Sequence, residues 1–281
     1  MTKPLLGFIG QGFIGKNMAD EFAARGYGTV RYALEEPYIA NKDRIADCDI
    51  TFIAVPTPTT PQGFGSSLIR AVLPLIGAGK TAVIKSTILP GTTAALQKEF
   101  PDIILLHSPE FLREVSAAED TANPERNIIG IPTETEAHQK AAEKIMEILP
   151  KAPFELITKS QNAECIKYIG NNYLYAKLIF MNIAYDFSQA AGADWETVRT
   201  AVAADKRIGA SHTQVVHDSG RGAGGHCFIK DFEAMLRFYS EFTQDPNGLQ
   251  VLKAMRKKNN ALLMDSGKDL DLLQGVYGTP N

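Results

Sequence analysis

Leu5-Leu6-Gly7-Phe8-Ile9-Gly10-Gln11-Gly12-Phe13-Ile14-Gly15 decides the fold class of this chain. A short apolar run, Leu5 to Ile9, reads as a buried strand, and glycines follow at G-x-G-x-x-G spacing. From Ile14 to Arg25 the apolar residues recur at helical intervals. Glycines at such a turn let the backbone reverse sharply and approach a pyrophosphate, which then rests on the helix N-terminus. The glycines alone are weak; with the strand before and the helix after, they predict dinucleotide binding. A glycine-rich turn that only packs is the alternative.

Outward from this stretch the same grammar repeats. Thr29 to Tyr32, Ile50 to Val55, Thr81 to Lys85, Ile103 to His107 and Asn127 to Ile131 read as buried strands. Helical stretches at Ser67 to Ile76 and Thr92 to Glu99 fall between them. The helix His138 to Leu149 and the strand-like Phe154 to Ile157 close the domain. Alternation of this kind predicts an α/β fold, a Rossmann-like doubly wound parallel sheet, over residues 1–160.

Beyond it the texture changes. Gln161 to Ala190 has no proline and a single glycine, Gly170, with Ile166, Ile169, Tyr173, Leu174, Leu178 and Met181 at helical spacing. This predicts one long central helix of about 45 Å, with Gly192 as its stop signal. Residues 161–264 are expected to be an all-helical domain for dimerisation and substrate, interrupted by a glycine-rich loop at Ser219 to Gly225. Residues 265–281 read as a polar, partly disordered tail.

The bulk numbers exclude several classes. The 281 residues suffice for one large or two ordinary cores. A net charge of -3 supplies no basic field for nucleic acid or anionic lipid. Three scattered cysteines, Cys48, Cys165 and Cys227, form no CxxC pair. They argue against a disulfide framework or a zinc site and fit a reducing cytoplasm. No apolar run approaches the roughly 20 residues of a membrane helix, and Met1 to Pro4 lead into a strand rather than a signal peptide. The expectation is a cytoplasmic protein without nucleic-acid, membrane or metal partners.

The second strand leaves the cofactor less defined. An acid about 20 residues beyond the last glycine would bind the ribose 2′-hydroxyl of NAD. Glu35 has that spacing, whereas the strand end at Tyr32-Ala33 is not acidic and Arg31 leaves room for NADP. NAD is the favoured reading.

Five further segments occur in order. They are Ala54-Val55-Pro56-Thr57-Pro58, Lys85-Ser86-Thr87-Ile88-Leu89-Pro90-Gly91-Thr92, Ser108-Pro109-Glu110-Phe111-Leu112-Arg113-Glu114, Lys167-x-x-x-Asn171, and Gly224-Gly225-His226-Cys227-Phe228-Ile229-Lys230-Asp231. Over roughly residues 5 to 240 the chain resembles the UDP-glucose/GDP-mannose dehydrogenase family. That resemblance implies oxidation of a nucleotide sugar's primary alcohol to the uronate, with NAD as cofactor. A four-electron oxidation needs a group that holds the intermediate aldehyde. A thiolate adds to it, and the thiohemiacetal then loses hydride to become a thioester. Cys227, in a glycine loop that allows close approach, is the candidate nucleophile; Cys48 and Cys165 lack such a loop.

The resemblance implies the remaining roles. Glu110 is the base that activates water, and Thr87 helps to hold that water. Lys167 and Asn171, four apart and so on one helix face, stabilise the alkoxide and the later oxyanion. Asp231 orients Lys167 or the water, unless it only sits favourably beside a helix N-terminus. Gly10, Gly12, Phe13, Ile14, Gly15, Glu35, Val55, Pro56, Thr57, Thr87 and Lys230 would hold the cofactor. Phe111, Leu112, Arg113, Glu114, Lys167, Asn171, Gly224 and Gly225 would line the sugar site. Arg207 would reach the substrate across a homodimer built on the central helix. No histidine is assigned a role.

Three departures from the family pattern stand out: the family's C-terminal nucleotide-binding domain has no counterpart, Ala33 to Asp49 is short, and Val115 and His226 replace small residues. Two other readings therefore stay open: a two-electron β-hydroxyacid-type dehydrogenase, and a silent sugar-nucleotide-binding subunit.

Overall fold

The computed structural model describes residues 3–217 and 220–278. The chain divides into two compact units: residues 1–57 with 65–167, and residues 58–64 with 168–281.

The first unit is built on a seven-stranded sheet. It opens with β1 (Leu6–Ile9), α1 (Phe13–Ala24), β2 (Thr29–Tyr32), a 3-10 stretch (Ile39–Asp47) and β3 (Ile50–Ile53). Strands β4 (Thr59–Thr60) and β5 (Gly63–Phe64) form a small antiparallel hairpin that belongs to the second unit. Then come α2 (Ser67–Val72), β6 (Thr81–Ile84), α3 (Thr92–Glu99), β7 (Ile104–His107), α4 (Ala117–Ala122), β8 (Arg126–Ile131), α5 (Glu136–Ile148) and β9 (Phe154–Lys159). The strand order is β2-β1-β3-β6-β7-β8-β9. All pairs are parallel except β7 with β8, which meet antiparallel through His107 and Gly130. The doubly wound α/β expectation therefore holds, with one antiparallel junction.

The continuous apolar strands are buried on both faces, as parallel strands under helices must be. Leu6, Phe8, Ile50, Phe52, Val83, Leu106 and Ile129 form one core with Met18 and Phe22 of α1 and Ala142, Ile145 and Ile148 of α5. Phe8 stacks on Phe52 with ring centroids 5.4 Å apart. Helix α5 starts where Thr135 accepts a hydrogen bond from the His138 amide, which satisfies one of the four free amides of a helix start. The chain leaves β1 and returns to opposite sides of it as β2 and β3, so the sheet reverses its winding there. The glycine turn sits at the carboxyl end of that strand, where ligands bind open α/β sheets.

Helix α6 (Ser160–Ala190) is the long helix the sequence predicts. After it follow α7 (Trp195–Ala203), the hairpin β10 (Val216–His217) and β11 (Gly220–Arg221), α8 (Gly225–Phe242), α9 (Pro246–Ser266) and α10 (Leu270–Tyr277). Their starts are legible: Asp194 accepts from the Thr197 amide, and Asp245 accepts from the amides of Asn247 and Gly248 with Pro246 at the first helical position. Tyr175, Ile179, Phe232, Leu236 and Leu262 make the core of the second unit.

Two expectations need correction here. The stretch from Asp194 to Met264 is less helical than predicted, because residues 204–217 and 220–224 form turns, loops and the short antiparallel pair β10–β11. Ser219, the predicted start of the glycine loop, lies outside the described residues. The tail is not disordered through its described part: α10 buries Leu273 and Val276 against Ile229 and Leu263. The tail's final residues, 279–281, lie outside the described residues. Among the described residues no helix is long and apolar enough to cross a membrane.

Candidate active site

In the first unit, β1 delivers the glycine turn. Gly10 has φ +90, and a Cβ on Gly15 would fall 1.9 Å from the Gly10 carbonyl oxygen. Only glycine lets α1 begin so close to the strand end. Gly12 caps α1 with no side-chain hydrogen bond, the first turn has no acidic residue, and a Cβ on Gly12 would meet nothing within 4 Å. These are the properties of an anion cradle with room for a ligand. Phe13 is exposed beside it, while Ile14 is half-buried against the core.

The ribose end matches the sequence less directly. Glu35 is exposed, beyond the end of β2. The Arg31 guanidinium, which would serve a 2′-phosphate, donates to Asp20 at 2.6 Å. That pairing fits NAD better than NADP. Past the ends of β3 and β6, Thr57 Oγ1 donates to the Thr87 carbonyl at 2.7 Å, and Ser86 Oγ donates to the Val55 carbonyl at 2.7 Å. Val55, Thr57 and Thr87 are thus fixed to one another at the sheet's carboxyl edge; Pro56 is exposed there.

Glu110 follows β7. One carboxylate oxygen accepts from the Phe111 amide at 2.8 Å, and the other lies 3.1 Å from Lys85 Nζ. Lys85 is buried at the end of β6 and also reaches Ser108 Oγ at 3.2 Å. A cavity of about 30 Å³, room for a water, is lined by Lys85, Ser108, Glu110, Asp120 and Arg126. The Phe111 ring lies under the Arg126 guanidinium at 3.9 Å and 5.6 Å from Lys167 Nζ. His107 is fully buried; burial, with Lys85 and Lys167 nearby, drives it down to about 3, so it stays neutral. Arg113 is tied to Asp120 through two nitrogens. Leu112 is half-buried, and Glu114 and Val115 are exposed.

Lys167 sits in α6 one turn before Asn171. Nearer that helix's N-terminus, Glu164 is completely buried and accepts from the Gly91 amide, the Thr93 amide and Thr93 Oγ1 at 2.6–2.8 Å. Helix α3 has no side-chain cap of its own, so this carboxylate caps it and anchors the loop that carries Thr87.

In the second unit, Cys227 is exposed in the first turn of α8, just after Gly224 and Gly225. Asn171 Nδ2 donates to Asp231 Oδ2 at 2.7 Å, and Lys230 Nζ reaches Asp231 Oδ1. Asp231 is 1 % exposed, so it is paired on both oxygens rather than a solvated helix-end acid. Arg207 is exposed and paired with Asp205. Within its own unit it joins none of the other candidates through a hydrogen bond.

Sequence reasoning missed three residues. Lys85 was visible as a cation ending a buried strand. Asn259, whose side chain clips both the amide and the carbonyl of Ala223, and Asp269, which accepts from the Gly225 amide, gave no signal. Among the described residues no group of histidine, cysteine and carboxylate could hold a metal.

Residues 37–150 match the UDP-glucose/GDP-mannose dehydrogenase family's NAD binding domain, and residues 161–261 match its central domain. UDP-glucose 6-dehydrogenase YwqF of Bacillus subtilis is 32 % identical over 252 residues, 83 % of this chain and 54 % of its own length. UDP-glucose 6-dehydrogenase of Pseudomonas aeruginosa is also 32 % identical, over 79 % of this chain and 51 % of its own. The chain spans about half the length of these curated relatives. The structure of a UDP-glucose dehydrogenase from Pyrobaculum islandicum superposes with TM-score 0.79 and 27 % identity, over 92 % of this chain and 68 % of that one. A Mycobacterium tuberculosis 3-hydroxyisobutyrate dehydrogenase, 15 % identical, shares the fold with TM-score 0.72 over 98 % of this chain and 99 % of that one. The chain belongs to the UDP-glucose/GDP-mannose dehydrogenase family and carries its NAD-binding and central domains.

Proposed function

We propose that the chain oxidises the primary alcohol of a nucleotide sugar of the UDP-glucose class to the uronate. The observation that carries this reading is Cys227: an exposed thiol in the first turn of α8, on a glycine loop, in the unit that also holds the Asn171–Asp231 pair. A structural thiol has no need of that exposure; Cys48, buried and pushed up to about 11 mainly by burial, shows the contrast. Bound NAD, held by the glycine turn of residues 10–15, would accept a hydride at each of two stages. Residues 1–160 would serve as the cofactor domain and 161–264 as the substrate and dimerisation domain.

In this reading Lys167 and Asn171 stabilise the substrate alkoxide as its proton leaves. Cys227 Sγ adds to the resulting aldehyde carbon, forming a thiohemiacetal. Loss of the second hydride leaves a thioester. Glu110 takes a proton from water as that water attacks the thioester carbon, and the C–S bond breaks to return the thiolate. Overall one alcohol, one water and two NAD⁺ give one carboxylate, two NADH and three protons. Asp231, bound to Asn171, orients the amide. Phe111 to Glu114 with Gly224 and Gly225 line the sugar, and Arg207 of a second copy reaches it across the dimer.

The same reading includes a homodimer. Ile169, Tyr173, Phe180, Ile183 and Phe187 are exposed along α6 at intervals that keep to one stripe, the surface a second copy would cover. Phe180→Lys is expected to turn a dimer into a monomer in sedimentation velocity; an unchanged sedimentation coefficient refutes the stripe as the interface.

The deciding experiment is the NADH yield from a limiting amount of UDP-glucose with excess NAD. Two NADH per sugar, abolished by Cys227→Ser, is the expected result. One NADH per sugar, or full turnover by the serine variant, refutes the thioester route.

A further inference from the structure

The nucleophile loop is built against a part of the chain that the family match leaves out. The central-domain match ends at residue 261, and much of what holds residues 220–225 lies beyond it. The Arg221 amide donates to Ser266 Oγ at 2.9 Å, and Lys268 Nζ donates to the His217 carbonyl at 2.9 Å. The Gly225 amide, first in α8, donates to Asp269 Oδ2 at 2.7 Å. A Cβ on Gly224 would fall 1.9 Å from that same oxygen. Helix α8 has no cap from its own sequence, since Gly224 offers no side chain. Asp269 itself stands at φ 53, a left-handed conformation that favours glycine, asparagine and aspartate, and α10 starts from it.

We propose that Asp269 is a positioning residue for Cys227, supplying from the α9–α10 connection the N-terminal cap that α8 lacks. With the first amide taken by this carboxylate, the turn stays wound. The positive end of α8 then stays beside Cys227 in its first turn, where it favours the thiolate. The charge of Asp269 opposes the thiolate while its geometry favours it, so the two contributions have to be separated. Other ionisable groups about this turn are His226, Lys230 and Asp231 on α8, His217 on β10, and Lys268. The inference rests on Cys227 being the nucleophile, but its test does not need turnover.

The experiment is alkylation of the 281-residue chain by iodoacetamide, with Cys227 followed by peptide mass spectrometry apart from Cys48 and Cys165. Asp269→Asn and Asp269→Gly both suit the left-handed backbone and both remove the charge; only asparagine keeps an acceptor for the Gly225 amide. At pH 7 the asparagine variant is expected to be alkylated at least threefold faster than the glycine variant, with the rates converging at pH 10. Gly224→Ala, which displaces the carboxylate, is expected to add nothing in the Asp269→Gly background. Equal rates at pH 7, or full additivity of Gly224→Ala with Asp269→Gly, overturn the proposal. If Asp269→Gly does not fold, an unaltered alkylation rate in Gly224→Ala alone overturns it. Absence of NADH in the stoichiometry assay would remove the sugar oxidation and leave this result readable.

Discussion

His107 gives a stability prediction that follows from burial alone. Its ring is fully enclosed at the end of β7, its Nδ1 pairs with the Ile84 carbonyl at 3.0 Å, and Lys85 and Lys167 oppose a positive charge there. Since the carbonyl can only accept, Nδ1 carries the proton of a neutral ring. Burial takes the group from an ordinary 6.5 down to about 3. The unfolded chain therefore binds a proton that the folded one refuses. The contribution is fully present above pH 6.5 and is lost as the pH falls toward 3. At pH 5 the unfolded imidazole is nearly all protonated and the folded one nearly all neutral. The loss relative to pH 8 is then about 2 kcal/mol. Because the folded value lies well below 5, this figure barely changes if that value moves by a unit. The assay is urea denaturation at pH 8 and pH 5 for the wild type and for His107→Gln. Every other titrating group is common to both proteins and cancels. The difference between the two pH values should be smaller in the variant by about 2 kcal/mol. The same pH dependence in both proteins refutes the buried neutral imidazole.

Two substitutions in the glycine turn separate folding from binding. Gly15→Ala drives a methyl into the Gly10 carbonyl and should lower the thermal midpoint and abolish NAD binding by calorimetry. Gly12→Ala meets no neighbouring atom, so its midpoint should stay within a degree or two of wild type while NAD binding weakens. A Gly12→Ala variant that binds normally removes the diphosphate from this turn. Glu164→Ala strips the acceptors from two backbone amides and the Thr93 hydroxyl. It should cost about 3 kcal/mol in urea unfolding, and Glu164→Gln, which keeps one oxygen, roughly half of that.

The sequence announced the sheet because its strands are buried on both faces and so carry unbroken apolar runs, as Leu6 to Ile9 and Ile50 to Ile53 do. It could not announce the direction of β8. Arg126 to Ile131 is as apolar as its parallel neighbours, and strand direction is set by the path of residues 108–125, not by side-chain pattern. The pairing of β10 with β11 was missed because each strand is two residues long, too short for alternation to show. Helix α10 was different: Leu270, Leu273 and Val276 do stand at helical spacing, but the glycines and aspartates around them read as a tail. Among the candidate site residues, those proposed to act through their own chemical type were visible in their motifs, as Cys227, Glu110 and Lys167 were. Those that act by holding backbone, Asn259 and Asp269, were not, because any polar residue at a distant position could have done the same.

Each unit carries its own set of candidate groups. Unit one holds a candidate base with a buried cation against it, Glu110 with Lys85, and the second cation Lys167 beside Phe111. Unit two holds the thiol and a buried carboxylate shared between an amide and an ammonium, Asp231 with Asn171 and Lys230. A buried carboxylate is costly unless its oxygens are paired, and each of these acids meets that cost with partners from its own unit. Glu164 does the same through three donors from the α3 start, although burial still pushes it up against their pull. Within each unit the charged groups are therefore held by partners of that same unit. The thiol needs the opposite treatment. A thiol proposed as the nucleophile has to stay exposed, and the contacts beside it are clamps on backbone: Asn259 on Ala223 and Asp269 on Gly225. Loss of a carboxylate's partner should therefore appear first as lost stability, and loss of a backbone clamp first as altered thiol chemistry.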